Sequence, residues 1–309
     1  VMLDAYFYGS VSRISPEAPV PIVNLSKKEQ RLGGAANVAL NLKSLGAEPI
    51  ICSIKGNDKD GQRLKELCNE RGLITDGLIN DYKRETTVKT RIIGNSHQLL
   101  RIDEEDITDI DESVEDLVFQ AVNSFIDQVD VLIFQDYNKG LLTAGLIKRV
   151  SALCIEKNVP IVVDPKFNNF YEYQGVTLFK PNKKEIQQAE NISEKLNLRD
   201  VKVLASKVRE KLNASKIMTT LSEDGVIIIN ENETIHLPAH ARKIVDVSGA
   251  GDSVLSVAAL CIAAGISDEL TAALSNLAGG IVCEQVGVVP IDKDLLFGEA
   301  MELKVASGY

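Results

Sequence analysis

The sequence predicts an α/β protein: a mostly parallel sheet covered by helices on both faces, with a smaller β layer set to one side. Three observations carry this. After Asp111, short apolar runs alternate with amphipathic segments of helical period, the pattern of strands joined by crossover helices. The first third instead mixes extended, proline-containing ribbon with one helical stretch. Finally, Val245–Gly265, VDVSGAGDSVLSVAALCIAAG, carries an apolar run that can only bury itself as a core helix.

In chain order, VMLD at the amino end reads as the tail of a strand, and a first strand upstream of Val1 is expected. Residues 6–27 are rich in Tyr, Val, Ile and Ser, and Pro16, Pro19 and Pro21 forbid a helix there. From Gly33 and Gly34 the period becomes helical through AANVALNLKSLGA, with a glycine stop at Gly46. A short strand over 49–54 and a helix over 61–71, ended by Gly72, follow. Residues 86–103 alternate about Gly94-Asn95-Ser96, a hairpin signal. With the 6–27 ribbon this makes a small β layer, readable as a flap over a ligand site, as a dimerising sheet edge, or as both. Strands are expected at 131–135, 161–164, 177–179, 217–220 and 226–229, and helices near 112–127, 143–157, 183–190 and 199–212. The last third, including 267–284, is more helical.

With 309 residues and 45% apolar content, the chain can bury a large core as one α/β domain or two smaller ones. A net charge of -10 argues against a nucleic-acid partner, and it requires any site for a phosphorylated ligand to gather its basic residues locally. The five cysteines, Cys52, Cys68, Cys154, Cys261 and Cys283, are scattered in apolar surroundings, as expected of reduced thiols in a cytoplasmic protein. No signal peptide and no apolar run of about 18 residues points to a membrane.

Gly249, Ala250 and Gly251 form a small-residue turn followed at once by Asp252. Such a turn lets backbone N–H groups converge on an anion, and the following helix turns its positive dipole end to the same point. A carboxylate is ill suited to holding phosphate. Asp252 reads either as a base that takes a proton from an attacking hydroxyl or as a helix cap. The turn lacks the third glycine of a dinucleotide motif and the Gly-Lys-Ser/Thr of a P-loop. Three histidines and no CxxC or HExxH pattern leave triad and metal-hydrolase chemistry poorly supplied.

Parallel α/β sheets bind ligands at the carboxyl ends of their strands. Polar residues stand there: Asp136, Asp164 with Lys166, Asn182 with Glu185, and Thr220 with Ser222. Singly, Asp136 and Asp164 read as caps, and Asn182-Lys-Lys-Glu185 as a capping box. In sequence, GGAAN at 33–37, NKKE at 182–185 and DVSGAGD at 246–252 resemble the three signatures of the ribokinase-like carbohydrate kinases of the phosphofructokinase B type. SRISPEAPVPIV at 12–23, the segment GGAANVALNLKSLGA, DY-x-KG at 136–140 and DPK at 164–166 are similar to one branch, the D-glycero-β-D-manno-heptose 7-phosphate kinases of bacterial lipopolysaccharide core synthesis.

The resemblance implies a three-layer α/β/α sandwich spanning 1–309 as one kinase domain, with a β lid from 6–27 and 86–103. It implies ATP and Mg²⁺, with a monovalent cation as an option, and a homodimer formed through the lid. Asp252 would deprotonate the sugar hydroxyl while Gly249, Ala250 and Gly251 offer N–H groups to the transferred phosphoryl group. Asn182 and Glu185 would hold Mg²⁺ through waters. Thr220, Ser222, Gly225, Asn276 and Gly279 would border the nucleotide, and Asp4, Gly33, Gly34, Asn37 and Asp136 the sugar. The substrate phosphate calls for cations, with Arg13 and Lys166 first and Lys89, Arg91 and Arg101 behind them. Ser248 stands where the family often has Thr and keeps the hydroxyl. No HxGH motif of a nucleotidyltransferase domain occurs, so the kinase step alone is expected of this chain. Kinases for another sugar, sugar phosphate or nucleoside, and a silent sugar or nucleotide sensor, are the alternatives.

Overall fold

The computed structural model describes residues 1–240 and 242–306; the carboxyl end of the expected 1–309 domain, residues 307–309, lies outside them. The three prolines keep 15–20 out of any ladder except a closing Ser15 N to Val20 O bond of 2.9 Å. The chain therefore turns back as a long hairpin, β1 (Met2–Ile14) against β2 (Pro21–Gly33). Helix α1 (Ala35–Ser44) follows, then β3 (Ser53–Gly56), α2 (Lys59–Glu70), β4 (Leu78–Asp81), β5 (Val88–Gly94) and β6 (His97–Glu104). Asn95 and Ser96 both have positive φ, 51° and 66°, as a two-residue turn between twisted strands requires. The expected small β layer is thus a four-stranded sheet in the order β2-β1-β5-β6.

The second part reads α3 (Glu112–Phe125), β7 (Leu132–Gln135), α4 (Ala144–Lys157), β8 (Ile161–Asp164), β9 (Leu178–Phe179), α5 (Lys183–Ala189), α6 (Leu198–Lys211), β10 (Lys216–Thr220), β11 (Val226–Ile229), β12 (Thr234–Leu237), α7 (Ala250–Ala263), α8 (Asp268–Cys283) and α9 (Lys293–Ala306). Strands β7 to β10 run parallel, and β11 and β12 add antiparallel at one edge. Alternation along the strands sends side chains to two cores. Ile161, Val163, Phe179 and Ile217 meet α3 to α6. Val162, Leu178, Met218 and Ile228 meet α1 and α7. The result is the three-layer α/β/α arrangement, with helices on both faces of the parallel sheet.

Three elements escape the sequence pattern. Strands β4 and β12 are four-residue segments too short for a period to stand out, and α9 mixes apolar and charged residues along its sequence. The strand expected over 49–54 begins only at Ser53, because Pro49 has no N–H to pair; before it stands a lone bridge, Ile50 with Ile74. The five cysteines are free thiols, four of them buried; burial pushes Cys52, Cys68 and Cys154 up to about 11, which keeps them inert. No described helix is long and apolar enough to cross a membrane.

Gly140, at φ +72°, is a test of this architecture. A Cβ there would overlap the Thr108 carbonyl oxygen, where the loop after β7 crosses the chain leading to α3. Gly140→Ala should therefore destabilise the protein by about 2–4 kcal/mol, the sum of left-handed strain and overpacking. A Cβ at Gly298, inside α9, meets nothing within 4 Å, so Gly298→Ala should stabilise by about 0.5–1 kcal/mol. Urea denaturation of both variants checks the pair.

Candidate active site

Two cavities decide where chemistry can occur. The larger, about 560 Å³, lies between β7 and residues 46–53 and is walled by apolar groups such as Val38, Leu42, Val118, Leu132, Leu146 and Leu260. Its polar lining, Glu48, Ser53, Gln128, Asp130 and Gln135, includes none of Asp164, Lys180 or Asp252. The smaller, about 170 Å³, lies at the carboxyl ends of the parallel strands, where Gln135, Asp164, Lys180 and Thr220 end or follow β7, β8, β9 and β10. Gln135 pairs with Asp164 in the ladder, and Asn182 forms a bridge with Thr220. Asp252 and the first turn of α7 close the same cavity.

Asp252 occupies the third position of α7 and does not cap it; the cap is Gly249, at φ 84°, with no side-chain bond. Its carboxylate instead turns into the cavity, 8% exposed. Asn37 Nδ2 donates to Oδ2 at 2.7 Å. The Tyr137 hydroxyl and Gln135 Nε2 donate to Oδ1 at 2.9 and 3.4 Å. Burial raises the Asp252 pKa to about 6, and the nearby Asp164 charge adds to the rise, against lowering by Asn37, Tyr137 and Lys180. A carboxylate so placed is ionised at neutral pH yet basic enough to hold a proton. The N–H groups of the first helical turn, Gly251 and Asp252 among them, have no acceptor inside the helix and face this region with its dipole. Ala250 departs from expectation, since its N–H already points back to the Val247 carbonyl at 3.3 Å.

Around this centre the expected residues separate into those that converge and those that do not. Asn182 and Glu185 line the cavity, and they also form the capping box of α5, with Glu185 N to Asn182 Oδ1 at 2.9 Å and Asn182 N to Glu185 Oε2 at 2.8 Å. Lys166 lines the cavity too, but its ammonium is paired with Glu185, so it serves this acidic wall and is not an unengaged cation for a distant phosphate. Asp136, expected beside the sugar, does not line this cavity. Gln135 and Tyr137 face the cavity, so alternation sends Asp136 the other way. It is 2% exposed, with its oxygens taken by Asn138 N at 2.7 Å and the Tyr173 hydroxyl at 2.8 Å.

On the lid side, Asp4 lies against Gly33 and pairs with Arg91. Gly34, at φ +58°, lets the Tyr137 ring pack flush against the backbone. Lys89 is held by Asp103 and Glu105 at 2.9 and 3.0 Å, and Arg101 by Asp103 at 2.8 Å. Arg13 is exposed far along β1, with no ion pair to a described residue. On the nucleotide side only Thr220 lines the cavity. Ser222 is exposed and Gly225 makes the tight turn into β11, where a Cβ would overlap Leu237 O. Asn276 Nδ2 donates to Pro238 O at 2.8 Å, and a Cβ at Gly279 would press Val254 at 2.8 Å, so both have packing duties.

Sequence reading missed Lys180, Gln135 and Tyr137. Lys180, 3% exposed, pairs with Asp164 at 3.1 Å. Gln135 Nε2 bridges Asp164 at 3.2 Å and Asp252 at 3.4 Å. The signal for Gln135 and Lys180 was positional, at or just after the ends of parallel strands, whereas Tyr137 stands inside the DY-x-KG segment at 136–140. Among the described residues no group of three or more His, Cys, Asp or Glu side chains makes a metal cage.

Comparison with known proteins identifies the family. The model of the pfkB family carbohydrate kinases matches residues 2–294. The chain belongs to that family. It is a carbohydrate kinase with the ribokinase-like fold. The bifunctional protein HldE of Syntrophotalea carbinolica is 39% identical over 302 residues, 97% of this chain and 61% of that protein. HldE of Geobacter sulfurreducens is 34% identical, over 96% of this chain and 61% of that protein. The chain thus spans about three fifths of these curated relatives. Phosphofructokinase-2 from Escherichia coli, solved in complex with potassium, superposes with a TM-score of 0.82 at 17% identity, covering 98% of this chain and 96% of that one. Ribokinase from Thermotoga maritima does so with 0.69 at 19% identity, covering 96% of each chain.

Lys180→Met would leave Asp164 buried without its counter-charge, and should lower stability by about 3–5 kcal/mol. Lys43→Met, which breaks an exposed pair with Glu48, should cost under about 1 kcal/mol. Denaturant titration at pH 7 compares them.

Proposed function

We propose that this kinase domain transfers the terminal phosphoryl group of ATP to the anomeric hydroxyl of a heptose 7-phosphate, D-glycero-β-D-manno-heptose 7-phosphate, giving the 1,7-bisphosphate. The observation that carries the reaction type is the buried Asp252 carboxylate, oriented by three donors at the mouth of a helix N-terminus. The substrate choice is supported by the SRISPEAPVP ribbon and by the HldE relatives, which share 34–39% identity with the chain. Another sugar phosphate is the competing substrate class.

In this reading Asp252 takes the hydroxyl proton as the oxygen attacks the γ-phosphorus, and ADP departs on the opposite side. The N–H of Gly251, which has no acceptor inside the helix, and the α7 dipole stabilise charge on the transferred group. Thr220 borders the nucleotide. Asn37, Asp4 and the Gly33-Gly34 turn border the sugar, with Arg91 beside Asp4 as the nearest built-in cation. The oxygen donors of Asn182, Glu185 and Asp164 suit a hydrated Mg²⁺, which would neutralise nucleotide phosphate charge when bound. Because Glu185 is already engaged by Lys166 and by the α5 cap, its contact to that ion would run through water.

The lid supports a homodimer. Leu100 and Ile102 are 56% and 46% exposed and pair with Ile92 and Thr90. They share the face of β6 turned away from Arg101. A second copy covering this face would remove the row from water.

Four outcomes test the reading. Asp252→Asn should cut turnover by at least ~10²-fold with nucleotide affinity nearly unchanged; a loss under about tenfold would mean another group takes the proton. Because the base must be ionised, kcat/KM for the sugar should rise with pH through about 6 and level off above it; a rate flat from pH 5 to 8 contradicts this. An ADP-release panel should favour the heptose phosphate, and light scattering should find a dimer that Leu100→Glu with Ile102→Glu separates. Activity on fructose 6-phosphate or ribose alone would replace the substrate.

A further inference from the structure

The Asp252 carboxylate is not evenly held. Each carboxylate oxygen offers two lone-pair directions to donors. Among the described residues, Oδ1 meets two donors, the Tyr137 hydroxyl at 2.9 Å and Gln135 Nε2 at 3.4 Å, whereas Oδ2 meets only Asn37 Nδ2 at 2.7 Å. Oδ1 is therefore saturated. Oδ2 keeps one direction for an incoming proton.

We propose that Tyr137, backed by Gln135, is a positioning residue that fixes Oδ2 as the proton-accepting atom of Asp252. The proposal rests on reading Asp252 as the base. In the step it serves, the substrate hydroxyl O–H breaks and its proton goes to Oδ2. The oxygen's electron pair forms the new bond to phosphorus, and the bond from phosphorus to the ADP oxygen breaks. In this role Tyr137, which lines the cavity, acts through the carboxylate. It holds the carboxylate plane, so that the direction left open points where the hydroxyl must stand.

The structure equips Tyr137 for this. Its ring lies against Gly34, where an added Cβ would come within 3.4 Å of Cε2, and φ there is +58°. A side chain at 34 would meet Met2 Cε at 2.9 Å first and only touch the ring, so glycine here lets Met2 and Tyr137 close on the backbone together. Burial and the Asp252 and Asp164 charges drive the Tyr137 hydroxyl well above its ordinary pKa, so it remains a donor. Gln135 is tied at the same time to Asp164 at 3.2 Å, which prevents it from turning over. The titratable and charged groups around Asp252 are Tyr137 from the loop after β7, Asp164 and Lys166 at and beyond the end of β8, Lys180 after β9 and Glu185 from α5; Asn37 from α1 and Gln135 from β7 are neutral.

The test follows the Asp252 carboxyl by ¹³C NMR titration, alongside the pH profile of kcat/KM, in Tyr137→Phe and in a protein carrying 3,5-difluorotyrosine at 137. Loss of one donor to a charged acceptor should raise the Asp252 titration midpoint by about one pH unit, with kcat falling ~10-fold or more and KM for ATP unchanged. The fluorinated ring, a stronger donor of nearly the same shape, should move the midpoint downward. A midpoint that stays in place in both proteins overturns the proposal, as does a shifted midpoint with kcat within twofold of the parent. The NMR midpoint does not depend on catalysis. If Asp252→Asn retained turnover, the reading of Asp252 as base would fail while the titration still reported whether Tyr137 holds the carboxylate.

Discussion

The rest of the structure depends on the buried hydrogen bond from Asn37 to Asp252, 2.7 Å long and joining residues 215 apart in sequence. It ties the first helix of the chain to the helix that carries the acid. Neighbouring bonds repeat the tie. Ser253 Oγ and Ile291 N both reach Asn41 Oδ1, at 3.3 and 2.9 Å, and Ser256 Oγ reaches Val38 O at 3.4 Å. These polar groups are sealed in a low-dielectric layer, where an unmade bond is costly, so α1 and α7 have one relative setting. That setting brings the amino end of α1 to the acid side chain, with Gly34 at the root of the lid packed on Tyr137.

Charge reinforces the same geometry. A chain with a net charge of -10 places Lys180 and Lys166 inside an acidic wall made by Asp164, Glu185 and Asp252. Each lysine answers one carboxylate, and Gln135 links the first pair to Asp252. Among the described residues the acid on α7 has no ion-pair partner of its own. Desolvation then raises its pKa to about 6, while Lys180 limits the rise. Structural pairs elsewhere, such as Arg84 with Asp81 at 2.9 Å, brace loops; the wall around Asp252 instead leaves a cavity.

Much of this was legible where backbone geometry demands particular residues. The Asn95-Ser96 turn, the small residues before α7 and the alternation of buried strands with helices all announce themselves, because few residues tolerate those conformations or that burial. Side-chain direction was less legible. Asp136 and Tyr137 sit one residue apart, so a register error of one assigns the cavity to the wrong residue, and Asp136 indeed bonds Tyr173 in the opposite core. Lysines are harder still. Lys180 in sequence looks like any solvated lysine, and only the pairing of β9 between β8 and β10 shows it is enclosed. Lys166 and Lys89 looked available for a phosphate, yet carboxylates distant in sequence already hold them.

The central claim is spatial: sugar hydroxyl, Asp252 and the terminal phosphate of ATP meet at the amino end of α7. A crystal structure with a heptose 7-phosphate and a non-hydrolysable ATP analogue measures it directly. The account predicts the anomeric oxygen within hydrogen-bond reach of Asp252 Oδ2 and in line with the γ-phosphate over the Gly249–Gly251 turn. A reacting hydroxyl bound away from that carboxylate, or a γ-phosphate seated elsewhere, would contradict it.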